Sequence, residues 1–293
     1  MRIRATVAAV SGALALSALA VPAAQAGSQS DVSLDRPSVA ERFGTSSAKP
    51  ASRAAAAAAP TVSNVTVNAG KNIVLGTTVA KTIAVSLTAS HPSGIKDAYI
   101  DLWHGTNAED GMDGLLLPKE EAASCTASSA TTSKCKLTIP VAPGANTEDL
   151  IGDLYANALA GTWHVTAAVL SNDGEIYAND FYKTHKVQRL SKLTVNASPE
   201  PVKKGKTITV AGKLSRANWE DRKYHGYTGQ PVKLQFRKKN SNTYTTVKTI
   251  KSNSTGNLST TVKATVDGYF RYSFAGTSTT PTVTTAGDFV DVR

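Results

Sequence analysis

The stretch Val232–Ile250, "VKLQFRKKNSNTYTTVKTI", decides the fold class. Val232, Leu234 and Phe236 alternate with Lys233, Gln235 and Arg237. Successive side chains on a strand point to opposite faces, so this pattern predicts a half-buried strand with apolar residues inward and cations outward. The run "KKNSN" reads as a turn, and "NTYTTVKTIK" as the partner strand of a hairpin.

Outward from that hairpin the same period recurs. "SKLTVNAS", "KTITVAGKLS", "QPVKLQFRKK", "NTYTTVKTIK", "GNLSTTVKATV", "GYFRYSFAG" and "GDFVDVR" are strand candidates within residues 190–293, separated by turns such as "VKKGK" and "NSTGN". Short strands at that density predict an immunoglobulin-like sandwich, here without the Cys…Trp…Cys pattern of antibody domains. Tyr269, near the start of the next-to-last strand, is placed for a tyrosine corner.

Residues 61–189 read the same way. "KTIAVSLTAS" puts Ile83, Val85, Leu87 and Ala89 on one face. "DAYIDLWHG" sets Ala98, Ile100 and Leu102 against Tyr99, Asp101 and Trp103. "GTWHVTAAVLSNDGE" alternates Trp163, Val165, Ala167 and Val169 before a turn. One segment departs from the period. "NTEDLIGDLYANALAG" offers Asn146 as N-cap, acids in the first turn, Leu150, Leu154 and Leu159 near helical spacing, and Gly161 as a stop, which predicts a short helix insertion. The halves echo each other weakly, "SNVTVNAG" against "SKLTVNAS" and "KTIAVSLTA" against "KTITVAGKL". The expected fold is all-β, two tandem immunoglobulin-like β-sandwiches at 61–189 and 190–293, as suits a chain of 293 residues.

Ahead of them lie two other segments. Residues 1–26 read as a signal peptide: basic "MRIR", an Ala-rich apolar run, and "AQA" before Gly27. Residues 27–60 form an Ala/Ser/Pro linker with no sustained apolar period, expected to be disordered. The expected location is extracellular, released or loosely associated with the cell wall, with no transmembrane segment. Cys125 and Cys135 fit that oxidising compartment as a disulfide closing a short polar loop, worth somewhat under ~3 kcal/mol by loop entropy; two free buried thiols are the alternative.

The net charge of +10 is uneven. Residues 60–189 carry 9 Lys/Arg against 13 Asp/Glu, and residues 190–293 carry 17 against 6. Such asymmetry points to a polyanionic partner or to contact between the halves. In the basic half, Lys233, Arg237, Lys238, Lys239 and Lys248 are the candidate polyanion contacts. A polyanion groove also wants aromatics, and Tyr244 is the only plausible one, because Phe236 points the other way by parity, which counts against nucleic acid. Nucleic acid does not suit the compartment, whereas an anionic cell-wall polymer or polysaccharide does. The competing reading is solubility and edge protection by lysine.

No G-x-S-x-G elbow, H-E-x-x-H, C-x-x-C or Walker loop occurs. His91, His104, His164, His185 and His225 are scattered and read as sheet-face polar groups. In "DLWHGTNAEDGMDG", Asp101, Asn107, Glu109, Asp110 and Asp113 gather oxygen donors near glycines, the ligand type Ca²⁺ takes, though without EF-hand spacing; a solvated acidic loop is the alternative. "SRANWEDRKYHGYTGQP" has the aromatic and cationic composition of a recognition loop, or else Trp219 plugs the end of the sandwich.

"VNASPEPVKKGKTITVAGKLSRANWE", "YTGQPVKLQFRKK" and "DGYFRYSFAGT", with "IVLGTTV", "DAYIDLWHG" and "AGTWHV" in the front half, resemble small secreted two-module proteins of actinobacteria, particularly streptomycetes, commonly labelled calcium-binding. The resemblance implies a secreted, immunoglobulin-like, non-enzymatic protein. The expected function is a binding or structural role on envelope or extracellular polymer. The rival is a secreted hydrolase inhibitor, presenting "SRANWEDRKYHGYTG" or "TASSATTSK", or a hydrolase whose site forms only by tertiary convergence.

Overall fold

A computed structural model describes residues 34–44 and 58–293. The expected signal peptide lies outside the described residues, as does most of the expected linker.

The first sandwich is built from β1 (Thr61–Val67), β2 (Ile73–Leu75), β3 (Lys81–Ser90), β4 (Ile95–Gly105), β5 (Met112–Leu116), β6 (Ser124–Ala127), β7 (Thr132–Pro143), β8 (Asp153–Leu154), β9 (Gly161–Ser171) and β10 (Ile176–Arg189). One sheet runs β1-β3-β7-β6, with β8 beside β7; the other runs β2-β10-β9-β4-β5. Their inner faces carry the residues that alternation selects: Ile83, Val85 and Leu87 meet Ala98, Ile100, Leu102, Trp163 and Val165, all nearly inaccessible. Cys125 and Cys135 sit opposite each other on β6 and β7 and form the disulfide.

The second sandwich uses β11 (Ser191–Leu193), β12 (Asn196–Ser198), β13 (Thr207–Asn218), β14 (Lys223–Gly226), β15 (Pro231–Lys238), β16 (Thr245–Lys251), β17 (Asn257–Lys263), β18 (Gly268–Phe274), β19 (Val283–Thr284) and β20 (Asp288–Val290). The long β13 takes β11, β12, β14 and β17 as neighbours; the facing sheet runs β16-β15-β18-β19, with β20 also on β18. Val232 and Leu234 are fully buried against Val210, Leu258 and Tyr272, and Phe236 packs beside them on Phe270. The weak internal echo has a physical source. In both sandwiches its first half forms a strand paired antiparallel with the strand of its second half, β1 on β3 and β12 on β13.

Four expectations change. "NTEDLIGDLYANALAG" is not a helix. The Asp153 carboxylate accepts from Asn146 N, Thr147 N and Thr147 Oγ1, and Leu150 and Gly152 turn left-handed. A carboxylate that gathers local N–H donors offers the backbone an alternative to helical bonding. What remains is the short β8 and a 3₁₀ turn at Asn157–Leu159. The tyrosine-corner expectation also moves: Tyr269 lies half-exposed on the outer face, and it is Tyr272 whose buried hydroxyl donates to Val210 O at 2.8 Å. Burial pushes that phenol up to about 12.

The linker reading is overturned for residues 34–44. Ser38 and Glu41 form a capping box around one helical turn, α1 (Val39–Arg42). The segment lies on the outer face of β4, β9 and β10, with Leu34 buried and Arg36 bonded to Asp101, Thr166 and Asp180.

Trp219 neither binds from an open loop nor plugs its own sandwich. It is fully buried in the core of the first one, where its Nε1 donates to Gly76 O at 3.1 Å. The hairpin that carries it is stitched down around it. Trp219 N donates to Asn157 Oδ1, Asn157 N donates to Glu220 Oε1, and Arg222 lies over Gly144 to reach Ala145 O at 2.5 Å. A β-carbon at position 144 would strike that guanidinium. One residue, Leu190, separates β10 from β11. Its N–H donates to Leu75 O in the first sandwich and its carbonyl accepts from Ala217 N in the second. The described residues therefore form one compact unit.

Candidate functional site

The outer face of β15, β16, β18 and β20 places cations and aromatics in alternation. Strand parity sends Lys233, Gln235 and Arg237 outward opposite Ser273, Arg271 and Tyr269, and Tyr269 sits opposite Phe289. The Arg237 guanidinium stacks on Tyr269 at 3.8 Å and flanks Tyr244 at 5.4 Å. The Arg271 guanidinium stacks on Tyr244 at 3.7 Å. Tyr269 packs on Phe289, and Lys239 lies 5.4 Å from that ring. The result is a ladder that interleaves three cations with three aromatic rings.

Each rung has a local cause. Tyr244 comes from the turn before β16 and lies across the sheet because position 287 is glycine; a β-carbon there would collide with the Tyr244 hydroxyl and crowd Tyr269. Arg237 is held from behind by Ser241 O at 2.9 Å, and Arg271 Nε by Gln235 Oε1 at 2.8 Å. A guanidinium stacked on a ring keeps its edge free for in-plane hydrogen bonds and has little rotamer freedom left to lose. Neither arginine has an acidic partner among the described residues, whereas Lys239 lies 3.6 Å from Asp267.

Of the five cations expected to act together, the fold gathers three. Arg237 and Lys239 belong to the ladder, and Lys233 shares its face by strand parity. Lys248 turns the other way and donates to Thr260 Oγ1 and Thr261 O of β17. Lys238 follows the inward parity of Phe236 and emerges at the strand end beside Val266. Tyr269, Arg271 and Phe289 were missed. Their signal was present: "GYFRYSF" sends Tyr269, Arg271 and Ser273 to one face once Phe270, Tyr272 and Phe274 are taken as core.

Among the oxygen donors of "DLWHGTNAEDGMDG", Asp101 stands apart. Asp101 is fully buried and faces Arg36 and Tyr99, away from the loop. Asp113 bonds His104 Nδ1 at 2.5 Å, and Asn107 Oδ1 accepts from Glu109 N. No three His, Cys, Asp or Glu side chains among the described residues form a metal-holding group. A groove of about 580 Å³ lies on the outer face of β3 and β7, floored by Ala84 and Ala123. Its one acid, Glu120, is taken up by Thr138. No described helix is long and apolar enough to cross a membrane.

Fold and site together define a compact pair of β-sandwiches that exposes a cationic and aromatic sheet face. No family model matches the sequence, and no curated protein matches it. Among solved structures the chain is similar to the fibronectin(III)-like modules of Clostridium thermocellum CbhA, at 10% identity and TM-score 0.31 over 78% of this chain and 93% of that one. It is similar to the D00-D0 domain of intimin at 14% identity and TM-score 0.25, over 78% and 99%. It is similar to the Yersinia pseudotuberculosis adhesin InvE at 15% identity and TM-score 0.23, over 78% and 58%. At these TM-scores none of the three bears on function.

Proposed function

We propose that this chain is a secreted, non-enzymatic binding protein of the small actinobacterial type it resembles, and that it holds an anionic envelope or extracellular polymer on the Arg237–Tyr244–Arg271 face. The observation that carries the reading is the stacked ladder itself. Two arginines without acidic partners among the described residues are oriented by tyrosines and by backbone or amide acceptors. Carboxylate, phosphate and sulfate groups accept paired N–H bonds from such edges. The flat face suits an extended chain better than a small molecule, which wants a concavity. Secretion is supported by the signal-like residues 1–26 and by the disulfide. The non-enzymatic reading is supported by the dispersal of the histidines: His91 is bonded to Ser93 and Ala58, His104 to Asp113, His225 to Asp221, and His164 is stacked on Trp103.

The test is retention on cell-wall preparations and on a soluble polyuronate across a salt series. The double variant Arg237→Ala/Arg271→Ala is expected to lose most retention and to flatten the salt dependence, while Lys238→Ala and Lys248→Ala stay close to the parent. Equal retention by the parent and the double variant sinks the proposal.

A further inference from the structure

The outer face of β4 and β9 in the first sandwich is covered rather than open. By parity Tyr99, Asp101 and Trp103 of β4 and His164 and Thr166 of β9 belong on its solvent side. Yet Tyr99 is 2% exposed, and Asp101, Trp103 and Thr166 are fully buried. Residues 34–44, which join no sheet and are tethered through residues 45–57, cover Tyr99, Asp101 and Thr166, while Trp103 is packed by His164 and Phe181. The groups on the face converge on one cation. Arg36 Nε donates to Asp101 Oδ2 at 2.7 Å, and Arg36 Nη2 donates to Thr166 Oγ1 and Asp180 Oδ1, each at 2.6 Å. Tyr99 OH donates to the same Asp101 Oδ2 at 2.6 Å, and Trp103 Nε1 donates to the Asp180 carbonyl at 3.0 Å. Arg42 then stacks on the Tyr99 ring at 3.7 Å, and Leu34 is buried two residues ahead of Arg36.

A buried carboxylate left without its cation is strongly unfavourable, so the face demands a guanidinium from somewhere. The planar fork, bonded to two acids and a hydroxyl at once, also explains why lysine would not serve. We infer that this face is a receptor site for an arginine-bearing peptide of the form Leu-x-Arg, and that its occupant is interchangeable: residues 34–44 seat in their own chain when copies are dilute and in a second copy when copies are crowded. Tethering gives the segment of the same chain a high effective concentration, so exchange is favoured only at high protein concentration or when the resident arginine is lost. Exchanged segments make the contacts already described, which is the economy of domain swapping.

The experiment uses two full-length variants. Arg36→Ala keeps the receptor face and spoils the occupant; Asp101→Ala keeps the occupant and spoils the face. Mixed at high concentration, they are expected to form a heterodimer on size exclusion and in native mass spectrometry that neither forms alone. If Asp101→Ala does not fold, a fluorescent peptide of residues 34–44 replaces it as probe. It is expected to bind the folded Arg36→Ala chain at least tenfold more tightly than it binds the parent chain, and at least tenfold more tightly than a peptide with alanine at position 36. No complex in either format, with the partners folded by circular dichroism, overturns the inference. So does a position-36 alanine peptide that binds equally well.

Discussion

In the first sandwich the outer face of β4 carries Tyr99, Asp101 and Trp103, and none exceeds 2% exposure. In the second, the outer face of β15 and β18 carries Lys233, Arg237, Tyr269 and Arg271, all exposed or half-exposed. Both faces come from the same alternation on the same kind of sheet. The difference is in what their outward residues need. A buried acid among aromatics needs a cation and a cover, and the chain supplies both through Arg36 and its flanking segment. Arginines stacked on tyrosines need neither, because the rings order the guanidinium while water still reaches its edge. The same residue type, arginine over a sheet, is thus part of the packed interior in one module and a presented surface in the other.

The largest expected effect comes from separating the modules. Trp219 belongs to the second sandwich by sequence and to the core of the first by packing. Trp219→Ala should cost about 3–5 kcal/mol, as fully buried aromatics do. It should also split one calorimetric transition into two, because the indole is the main apolar bond across the junction. A variant that still melts in one transition, with a midpoint near the parent, would show that the Leu190, Arg222 and Asn157 contacts couple the modules without it.

Next in size is the direct contrast between the arginines. Arg36→Ala removes the cation from Asp101, which is fully buried, and should cost about 3 kcal/mol. Burial opposes the charge on Arg36, but Asp101 and Asp180 outweigh it and raise the guanidinium above its ordinary value, as an obligatory ion pair requires. Arg237→Ala, on the open face, should cost under about 1 kcal/mol, the scale of an exposed cation–π contact. Urea melts of the two single variants compare them directly. Similar losses would mean that the open face is structural after all and would weaken its reading as a binding surface.

The sequence shows many of the strands, their parity and the inward residues plainly, because the period of two is clear in β3, β7, β15 and β18. It shows half of the candidate site. Lys233 and Arg237 were legible from one strand, but the ladder also needs Tyr244 from a turn and Tyr269 and Arg271 from a strand paired in register, and pairing is not a local property. The covered face was not legible at all. Nothing in "DAYIDLWHG" says that its polar parity is buried; that depends on a segment some sixty residues earlier, whose Ser38–Glu41 capping box and Leu34-x-Arg36 spacing are too short to stand out in an Ala/Ser/Pro-rich stretch. The failed helix at 146–161 has the opposite cause. Its leucine spacing was real, and the Asp153 network overrode it.

The smallest effect concerns protons and again separates the modules. His185 on β10 shares the inward parity of Val187 in the first sandwich, and its Nε2 is buried without a partner among the described residues. Burial lowers its proton affinity below the ordinary value; the Lys71 backbone opposes this weakly, and Lys183 adds to it. The folded state therefore prefers the neutral ring, while the unfolded chain takes up a proton near pH 6.5. By linkage the stability that this group contributes is present above about pH 6.5 and is lost as pH falls below it. His225, in the second sandwich, is exposed and bonded to Asp221 at 2.5 Å. Melting midpoints between pH 8 and pH 5 should thus decline for the parent and decline less for His185→Gln, with His225→Gln as the comparison variant. If His225→Gln is the variant that flattens the profile, the proton-sensitive group lies in the open module and the assignment to the covered one is wrong.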